Sequence, residues 1–345
     1  MPCSTASPAT RAPRKRAEPP AVPTEFAFID ALKARVRGGE GVRQGIGDDG
    51  AVLAPPAGEE LVVSTDTLVA GVHFPQDAHP ADVGYKAAAV NLSDLAAMGA
   101  TPRWCTLALT VPSLDPGYVE PLVAGLLALL DAHATALVGG DTTRGPLALT
   151  LTAIGSVPAG QALRRNGARP GDAVYVSGTL GDAAAALALR GTRLDPQDGE
   201  AKLARTRLAQ RLARPTPRVA LGQALRGLAH ACIDVSDGLA ADLGHICRQS
   251  GVAAVIEADA LPVSRALAPL EIDPARRLRL QLGGDDYELC FALAPEDEAQ
   301  LAEIAHACHV PLTRIGSLGP GEGVHVLDHA GRVIAPPVAG YEHFG

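Results

Sequence analysis

Aromatic side chains are scarce in this sequence of 345 residues, at 3% of the chain with a single tryptophan. The hydrophobic core is therefore expected to consist mainly of Ala, Leu and Val. No stretch offers the roughly 18 uninterrupted apolar residues that a membrane-spanning helix needs, and the first 24 residues hold six prolines and no signal-peptide core. We predict no membrane partner and interpret residues 1–24 as a disordered basic tail.

Paired cysteines are also missing, since none of the six cysteines forms a C-x-x-C motif. Several lie in apolar surroundings, and the set is Cys3, Cys105, Cys232, Cys247, Cys290 and Cys308. This distribution argues against a disulfide framework and against a cysteine zinc site. It predicts reduced structural thiols in a cytoplasmic protein.

Positive charge is in short supply outside the tail. The formal net charge is −8, and residues 1–24 contribute +3, which leaves −11 for the remainder. So acidic a body predicts that nucleic acid is not a partner, and that any phosphate ligand is bound through metal ions. A chain of this length with 47% hydrophobic and 20% charged residues is typical of a globular protein of two domains.

Helical and strand patterns are mixed in both halves, which predicts an α/β (α+β) fold of two domains. The Gly-, Pro- and Arg-rich stretch 156–172 is typical of a domain boundary. We therefore predict a tail at 1–24, an N-terminal domain at 25–157 and a C-terminal domain at 158–345. Among the predicted elements are helices 80–98, 116–133 and 295–308, a strand 61–64, a strand 136–138 that ends before Asp141, and a glycine-rich hairpin region reaching residue 335.

The segment GIGDDG (45–50) fits the G-x-G-x-x-G spacing of a dinucleotide-binding loop. That loop must follow a strand and open a helix, whereas here a helix precedes the segment and a strand follows it. Asp48 and Asp49 would also repel the pyrophosphate that such a loop binds. The segment suits a cation better, and a solvated acidic turn is an equally good interpretation of these two residues alone.

Further carboxylates lie at comparable positions along the chain. Asp66 follows Ser64 and Thr65 at the predicted end of an apolar strand, Asp94 shares a helix face with Asn91, and Asp141 follows two glycines. Asp234 and Asp237 flank the start of another helix. Singly, Asp141 could be a turn residue and Ser236 and Asp237 could be helix caps. Together, oxygen ligands without a Cys/His pairing indicate several Mg²⁺ ions and a polyphosphate substrate.

Seven segments carry a resemblance to a known family: GIGDDGAVL, STDTLVAGVHF, YKAAAVNLSDLAAMGA, GGDTTRGPL, IDVSDGL, GGDDYELCF and GYEHF. In order and spacing, from about residue 25 to the end, the sequence resembles the thiamine-monophosphate kinases. The resemblance implies two mixed α/β domains, an N-terminal sheet that pairs with its mate in a homodimer, and ATP in the cleft between domains. It implies ATP-dependent phosphorylation of thiamine monophosphate to thiamine diphosphate by direct in-line transfer, without a general base or nucleophile.

The resemblance also implies roles for individual residues. The implied Mg²⁺ ligands are Asp48, Ser64, Thr65, Asp66, Asp94, Asp141, Asp234 and Asp237. Contacts with ATP are implied for Gly140, Asp141, Arg165 and Ser236, and contacts with thiamine monophosphate for His73, Asp285 and Tyr341. At the position of Asp285 the family usually has Glu, so this side chain is one methylene shorter.

Simpler interpretations stand beside three of these assignments. His73 lies in a loop and could be a surface residue, Tyr341 could merely pack, and Arg164 or Arg169 could serve in place of Arg165. Selenophosphate synthetase and hydrogenase-maturation relatives would be expected to carry reactive cysteines at positions where this chain has none. A catalytically silent metal- or nucleotide-binding module is the alternative from a different functional class.

Overall fold

Two principal sheets organise the chain, one in each half, and the computed structural model describes them over residues 22–192, 199–270 and 272–334. Tyr341 and most of the predicted tail lie outside the described residues. The helices are α1 (Glu25–Arg35), α2 (Pro80–Ala97), α3 (Pro116–Ala132), α4 (Asp182–Leu189), α5 (Gly199–Ala213), α6 (Val219–Ala224), α7 (Leu239–Ser250), α8 (Pro274–Gln281) and α9 (Leu301–Ala307). The strands are β1 (Val42–Gln44), β2 (Val52–Leu53), β3 (Glu59–Val69), β4 (Thr101–Val111), β5 (Ala136–Arg144), β6 (Ala148–Pro158), β7 (Ala173–Ser177), β8 (Ala231–Asp234), β9 (Ala253–Glu257), β10 (Leu289–Leu293), β11 (Leu312–Gly319), β12 (Gly323–Leu327) and β13 (Val333–Ile334).

The first half is a four-stranded sheet in the order β3-β6-β4-β5, with α2 and α3 packed over one face. Strands β3 and β6 pair antiparallel over their whole length, from Glu59 opposite Pro158 to Val69 opposite Ala148. Strands β4 and β5 run parallel, and α3 forms the crossover between them. Alternation along β6 turns Leu149, Leu151 and Ala153 toward the helices and leaves the other face half-exposed.

Helices α2 and α3 approach each other through two glycines. A Cβ atom on Gly84 would lie 1.9 Å from the carbonyl oxygen of Leu122, and one on Gly125 would lie 1.9 Å from that of Ala81. Only glycine permits this backbone-on-backbone contact, because any side chain would have to push the helices apart. Helix α2 is almost wholly buried and is rich in alanine, which allows close packing on its other sides too.

The second half is a seven-stranded sheet in the order β13-β12-β9-β11-β7-β10-β8. Strand β10 is buried along its entire length, as its uninterrupted apolar sequence LCFAL indicates. Phe291 and Leu293 of β10 belong to the same hydrophobic cluster as the buried faces of α2 and α3. The two halves therefore share a core, and α2 lies at their junction.

The structure confirms the mixed α/β class and corrects three local predictions. Strand β3 extends to Val69, so Ser64 to Asp66 lie in mid-strand, and Asp141 lies inside β5 opposite Ala108. Helix 295–308 is a 3-10 turn followed by the short α9. The predicted hairpin region is confirmed by β12 and β13, which pair antiparallel, whereas β9 lies between β11 and β12 and pairs with both.

The five cysteines within the described ranges are all free thiols, four of them buried. No helix in the same ranges is long and apolar enough to cross a membrane.

The α2–α3 contact predicts unequal effects of two glycine substitutions. Gly84→Ala should lower the free energy of unfolding by about 1–3 kcal/mol, because the new methyl group meets a backbone carbonyl that cannot move alone. Gly244→Ala in α7 is the matched control, since its nearest neighbours lie at 3.5 Å and 3.9 Å, and the higher helix propensity of alanine should leave stability unchanged or slightly raised. Urea unfolding of both variants tests this, and equal losses would contradict it.

Candidate active site

A cavity of about 800 Å³ lies between β3 and α2 of the first half and two loops of the second half. Most of the charge on its walls is negative. Carboxylates reach it from four places in the sequence, and its acidic lining residues are Asp66, Asp94, Asp234, Asp237 and Asp285. Residues predicted from separate motifs thus meet in one place.

Asp66 and Asp94 form the N-terminal wall. Their carboxyl groups share a hydrogen bond, and the hydroxyl of Ser64 also donates to Asp94. Asn91, one turn before Asp94, fixes the backbone of β3 by accepting from the Asp66 amide at 3.2 Å while donating to the Ala87 carbonyl at 3.0 Å. The i, i+3 spacing on α2 therefore brings one residue to the strand backbone and another to its carboxylate.

Asp234 ends β8 and connects the two halves. It is almost completely buried and accepts a hydrogen bond from the Ser93 hydroxyl of α2 at 2.7 Å. Burial, together with the nearby charge of Asp94, raises the pKa of Asp234 to about 7. Burial likewise raises the pKa of Asp66 to about 7, with contributions from Asp94 and Asp234, and raises that of Asp94.

The loop that carries Ser236 and Asp237 is organised by a residue that sequence reasoning missed. Asp242, in the first turn of α7, accepts from the backbone amides of Ser236, Asp237 and Gly238 at 3.0, 3.1 and 3.0 Å. The helix N-cap is Gly238, so Ser236 and Asp237 do not cap α7 with their side chains. Their side chains remain at the cavity, and the detectable signal was an acidic residue in the first helical turn.

The opposite loop, residues 283–288, has a strained backbone. Asp285 and Tyr287 adopt positive φ angles of 70° and 52°, which side-chain-bearing residues seldom adopt. Their amides donate to the carbonyls of Ser236 and Val235 at 2.8 and 2.9 Å, so the two loops are joined by backbone hydrogen bonds. Strain of this kind persists only where surrounding contacts fix the conformation.

Those contacts are made by two buried carboxylates of the loop itself. Glu288 is fully buried and accepts from Ser177 at 2.6 Å, from Arg211 at 2.9 Å and from Arg218 at 2.6 Å. Asp286 accepts from the Gly181 amide at 2.7 Å, and burial raises its pKa to about 8. Arg211 and Arg218 lie some 70 residues before Glu288, and a spacing pattern alone does not show which carboxylate an arginine reaches.

A second pocket of about 420 Å³ adjoins the acidic cavity. The two share Val72, His73, Lys86, Leu187 and Asp285. His73 accepts from the Val69 amide through Nδ1 at 2.9 Å and is therefore held in the wall of this pocket. Alanines and leucines of α4 and α5 provide an apolar side, so this space suits an organic group rather than a phosphate.

Three of the other predicted residues, Asp48, Asp141 and Gly140, lie outside the lining of the acidic cavity. Asp48 is exposed and accepts from its neighbour Asp49, and Asp141 is exposed on the edge strand β5. Gly140, next to it, has a φ of 151°, and a Cβ there would lie 1.9 Å from the Leu107 carbonyl oxygen. Thr65 does line the cavity, and its hydroxyl pairs with that of Thr152 at 2.9 Å.

The positive charge of Arg165 acts on the acidic cluster, because it lowers the pKa values of Asp94 and Asp234 against the effect of burial. Arg164 and Arg169 are not among the groups that act on these two pKa values. Of the three arginines in the connecting segment, Arg165 is therefore the one whose charge acts on these two carboxylates.

The carboxylates fit a magnesium ion in their chemistry. Among the described residues no three acidic, histidine or cysteine side chains are arranged to hold one ion by themselves. Mg²⁺ is commonly bound by one or two carboxylates together with water and substrate phosphates, so a spread of carboxylates around a cavity suits it. The raised pKa values of Asp66, Asp94 and Asp234 indicate negative charge in need of a counter-cation.

Comparison with known proteins identifies the family to which this architecture belongs. Residues 47–157 match the family model of the AIR synthase related protein N-terminal domain, and residues 169–329 match that of the C-terminal domain. The chain is 48% identical over 324 residues to the thiamine-monophosphate kinase of Salmonella typhimurium, covering 93% of this chain and 98% of the relative.

Two solved structures are similar along most of the chain. The crystal structure of thiamine-monophosphate kinase from Stenotrophomonas maltophilia K279a has a TM-score of 0.78 at 50% identity and covers 88% of this chain and 96% of its own. The structure of AaThiL complexed with AMPPCP and TMP has a TM-score of 0.72 at 31% identity, covering 93% of this chain and 97% of its own.

The paired domain matches and the cavity between the two halves define a protein of the AIR synthase related class. At 48% identity over nearly the whole length of its relatives, the chain belongs to the thiamine-monophosphate kinase family within that class.

The buried carboxylates predict a pH-dependent stability difference. Because the pKa of Asp234 is raised from 3.8 to about 7, the folded protein holds a proton that the unfolded chain releases, and this contribution to stability is lost as pH rises through 7. Asp234→Asn cannot lose that proton. With a chelator present to remove metal ions, the free energy of unfolding of the variant relative to that of the wild type should therefore rise between pH 5.5 and pH 8, by on the order of 1–3 kcal/mol.

Thermal unfolding at a series of pH values measures this difference, and comparison at each pH removes the effect of titrating groups that do not interact with Asp234. Asp259→Asn, in the 3-10 turn Ala258–Ala260, is a control at an exposed carboxylate. A constant difference between the wild type and Asp234→Asn across the range would contradict the prediction.

Proposed function

We propose that this protein transfers the γ-phosphoryl group of ATP to the phosphate of thiamine monophosphate, giving thiamine diphosphate and ADP, in the final step of thiamine diphosphate biosynthesis. The observation that carries the proposal is the junction of two pockets of different chemistry at His73, Lys86 and Asp285. An acidic cavity suits polyphosphate with its metal ions, and an apolar pocket suits the ring system of the acceptor. The AMPPCP and TMP named for the related structure have this combination of chemistries.

We propose Mg²⁺ as the metal, in several ions, held by Asp66, Asp94, Asp234 and Asp237 at the cavity. Asp48, Asp141, Ser64 and Thr65 are proposed as further ligands on the basis of the family resemblance. Magnesium ions, when bound, would neutralise phosphate charge and align the reacting oxygens. Arg165, Ser236 and Gly140 are proposed to contact the nucleotide, and His73, Asp285 and Tyr341 the acceptor.

The chemical step needs no proton transfer at neutral pH. The acceptor is a phosphate monoester with a second pKa of about 6, so its attacking oxygen is already deprotonated. A new P–O bond forms from that oxygen to the γ-phosphorus while the bond to the β-phosphate oxygen breaks, and ADP leaves with the electron pair. The residues of this chain then have to position two anions and offset their repulsion, which suits a site without a general base.

Conversion of thiamine monophosphate to thiamine diphosphate in the presence of ATP and Mg²⁺ tests the proposal. Asp66→Asn and Asp141→Asn should each lower kcat by at least about 100-fold, because ion positioning contributes several kcal/mol to the transition state. Far-UV circular dichroism should show both variants folded, and Asp259→Asn is the matched control. Near-normal turnover in both variants would refute the metal assignment, and absence of product with the wild type would favour a silent binding module.

We also propose that the chain is a homodimer through the uncovered face of its four-stranded sheet. Val63 and Leu61 of β3 are 59% and 49% exposed there, beside paired threonines of β3 and β6. A sheet face of this kind, half apolar and left without a covering layer by the described residues, is suited to pairing with a second copy.

Sedimentation velocity tests the dimer. Val63→Asp should shift the monomer–dimer equilibrium toward monomer relative to the wild type, because burying an unpaired carboxylate in an interface is strongly unfavourable. Leu203→Asp, at a position 51% exposed on α5, is the matched control and should leave the dimer intact. A dimer unaffected by Val63→Asp would exclude this face.

A further inference from the structure

Lys86 is a buried cation at the junction of the two pockets. Its side chain is only 5% exposed, on a face of α2 that lines both the acidic cavity and the neighbouring apolar pocket. The chain has 26 arginines and only four lysines, so a lysine in this position is unusual for the composition. A buried ammonium group is unfavourable unless it is paired, which makes its partners informative.

The hydrogen bonds of Lys86 to the described residues use only two of its three N–H donors. Nζ donates to Asp285 Oδ1 at 2.9 Å and to the carbonyl oxygen of His73 at 3.4 Å, and it lies 6.0 Å from the ring centroid of Tyr287. An ammonium group has three N–H donors, and these two oxygens are its hydrogen-bond acceptors within the described residues. The group is therefore fixed in the wall with a donor available to a ligand.

The Lys86–Asp285 pair has the charge pattern that a thiamine phosphate requires. Thiamine monophosphate carries a cationic thiazolium ring and an anionic phosphate a few bonds apart. We propose that the Lys86 ammonium group binds the phosphate of thiamine monophosphate, and that it is a catalytic residue which selects the phosphorylated substrate over thiamine. This inference rests on the proposed function, and it names the side chain that recognises the acceptor phosphate.

In this arrangement Lys86 acts through its positive charge and takes no part in proton transfer. It offsets the charge of the acceptor while the P–O bond to the γ-phosphorus forms and the bond to ADP breaks. A compact ammonium group acts as a point charge on a single phosphate oxygen. The wider guanidinium group of arginine favours bidentate contacts. Phe74 and Val83 are buried and line the same pocket as Lys86. These apolar neighbours strengthen the interaction of the ammonium charge with its ligand.

Calorimetric titration of wild type and Lys86→Met with three ligands tests the inference. The ligands are thiamine monophosphate, thiamine and ATP with Mg²⁺. Loss of a charge-assisted contact should weaken thiamine monophosphate binding by roughly ten- to hundredfold. Thiamine, which is cationic and lacks the phosphate, should bind equally well or more tightly, and ATP binding should change less than about threefold.

Lys202→Met, on the exposed side of α5, is the matched control for loss of a lysine and should match the wild type with all three ligands. Unchanged thiamine monophosphate affinity in Lys86→Met would overturn the inference, and so would an equal loss for thiamine and thiamine monophosphate, because that would mean Lys86 only shapes the pocket. If Lys86→Met does not fold, Lys86→Gln is measured in its place against the same criteria. A wild type that binds the acceptor but forms no thiamine diphosphate would refute the proposed function instead.

Discussion

The burial of several carboxyl groups close to one another is the constraint on which the rest of the structure depends. Asp66, Asp94 and Asp234 come from β3, α2 and β8, and burial raises the pKa of each. Such a cluster is unfavourable for folding, so the surrounding structure must supply partners for it. Ser93 and Ser64 donate hydrogen bonds to the carboxylates of Asp234 and Asp94, and Asn91 fixes the backbone that carries Asp66.

The loops of the second half show the same dependence on buried polar contacts. Glu288 and Asp286 lie behind the cavity, where Arg211, Arg218 and backbone amides surround them. Their contacts hold Asp285 and Tyr287 in left-handed conformations and keep the loop joined to residues 235–236. The acidic residues of the motif GGDDYEL thus divide into one that faces the cavity and two that fix the loop from behind.

Sequence patterns predicted the class of fold and most of the elements, because α2, α3 and β10 have strong apolar signals of the right length. They also predicted that carboxylates from separate motifs meet, which holds for Asp66, Asp94, Asp234 and Asp237 and does not extend to Asp48 and Asp141. They failed where the outcome depends on partners distant in the chain. The insertion of β9 between β11 and β12 could not be inferred from the glycine-rich connection, and the support given by Asp242 and Arg218 follows from contacts that spacing does not encode.

The glycine contact between α2 and α3 has a mechanical consequence for the cavity. Helix α2 carries Lys86, Asn91, Ser93 and Asp94, and its backbone touches that of α3 at Gly84 and Gly125. A helix seated this closely cannot slide or roll without a clash, so the N-terminal wall keeps its dimensions whatever enters or leaves. The N-terminal half therefore serves as the fixed side of the cavity, against which a ligand is positioned.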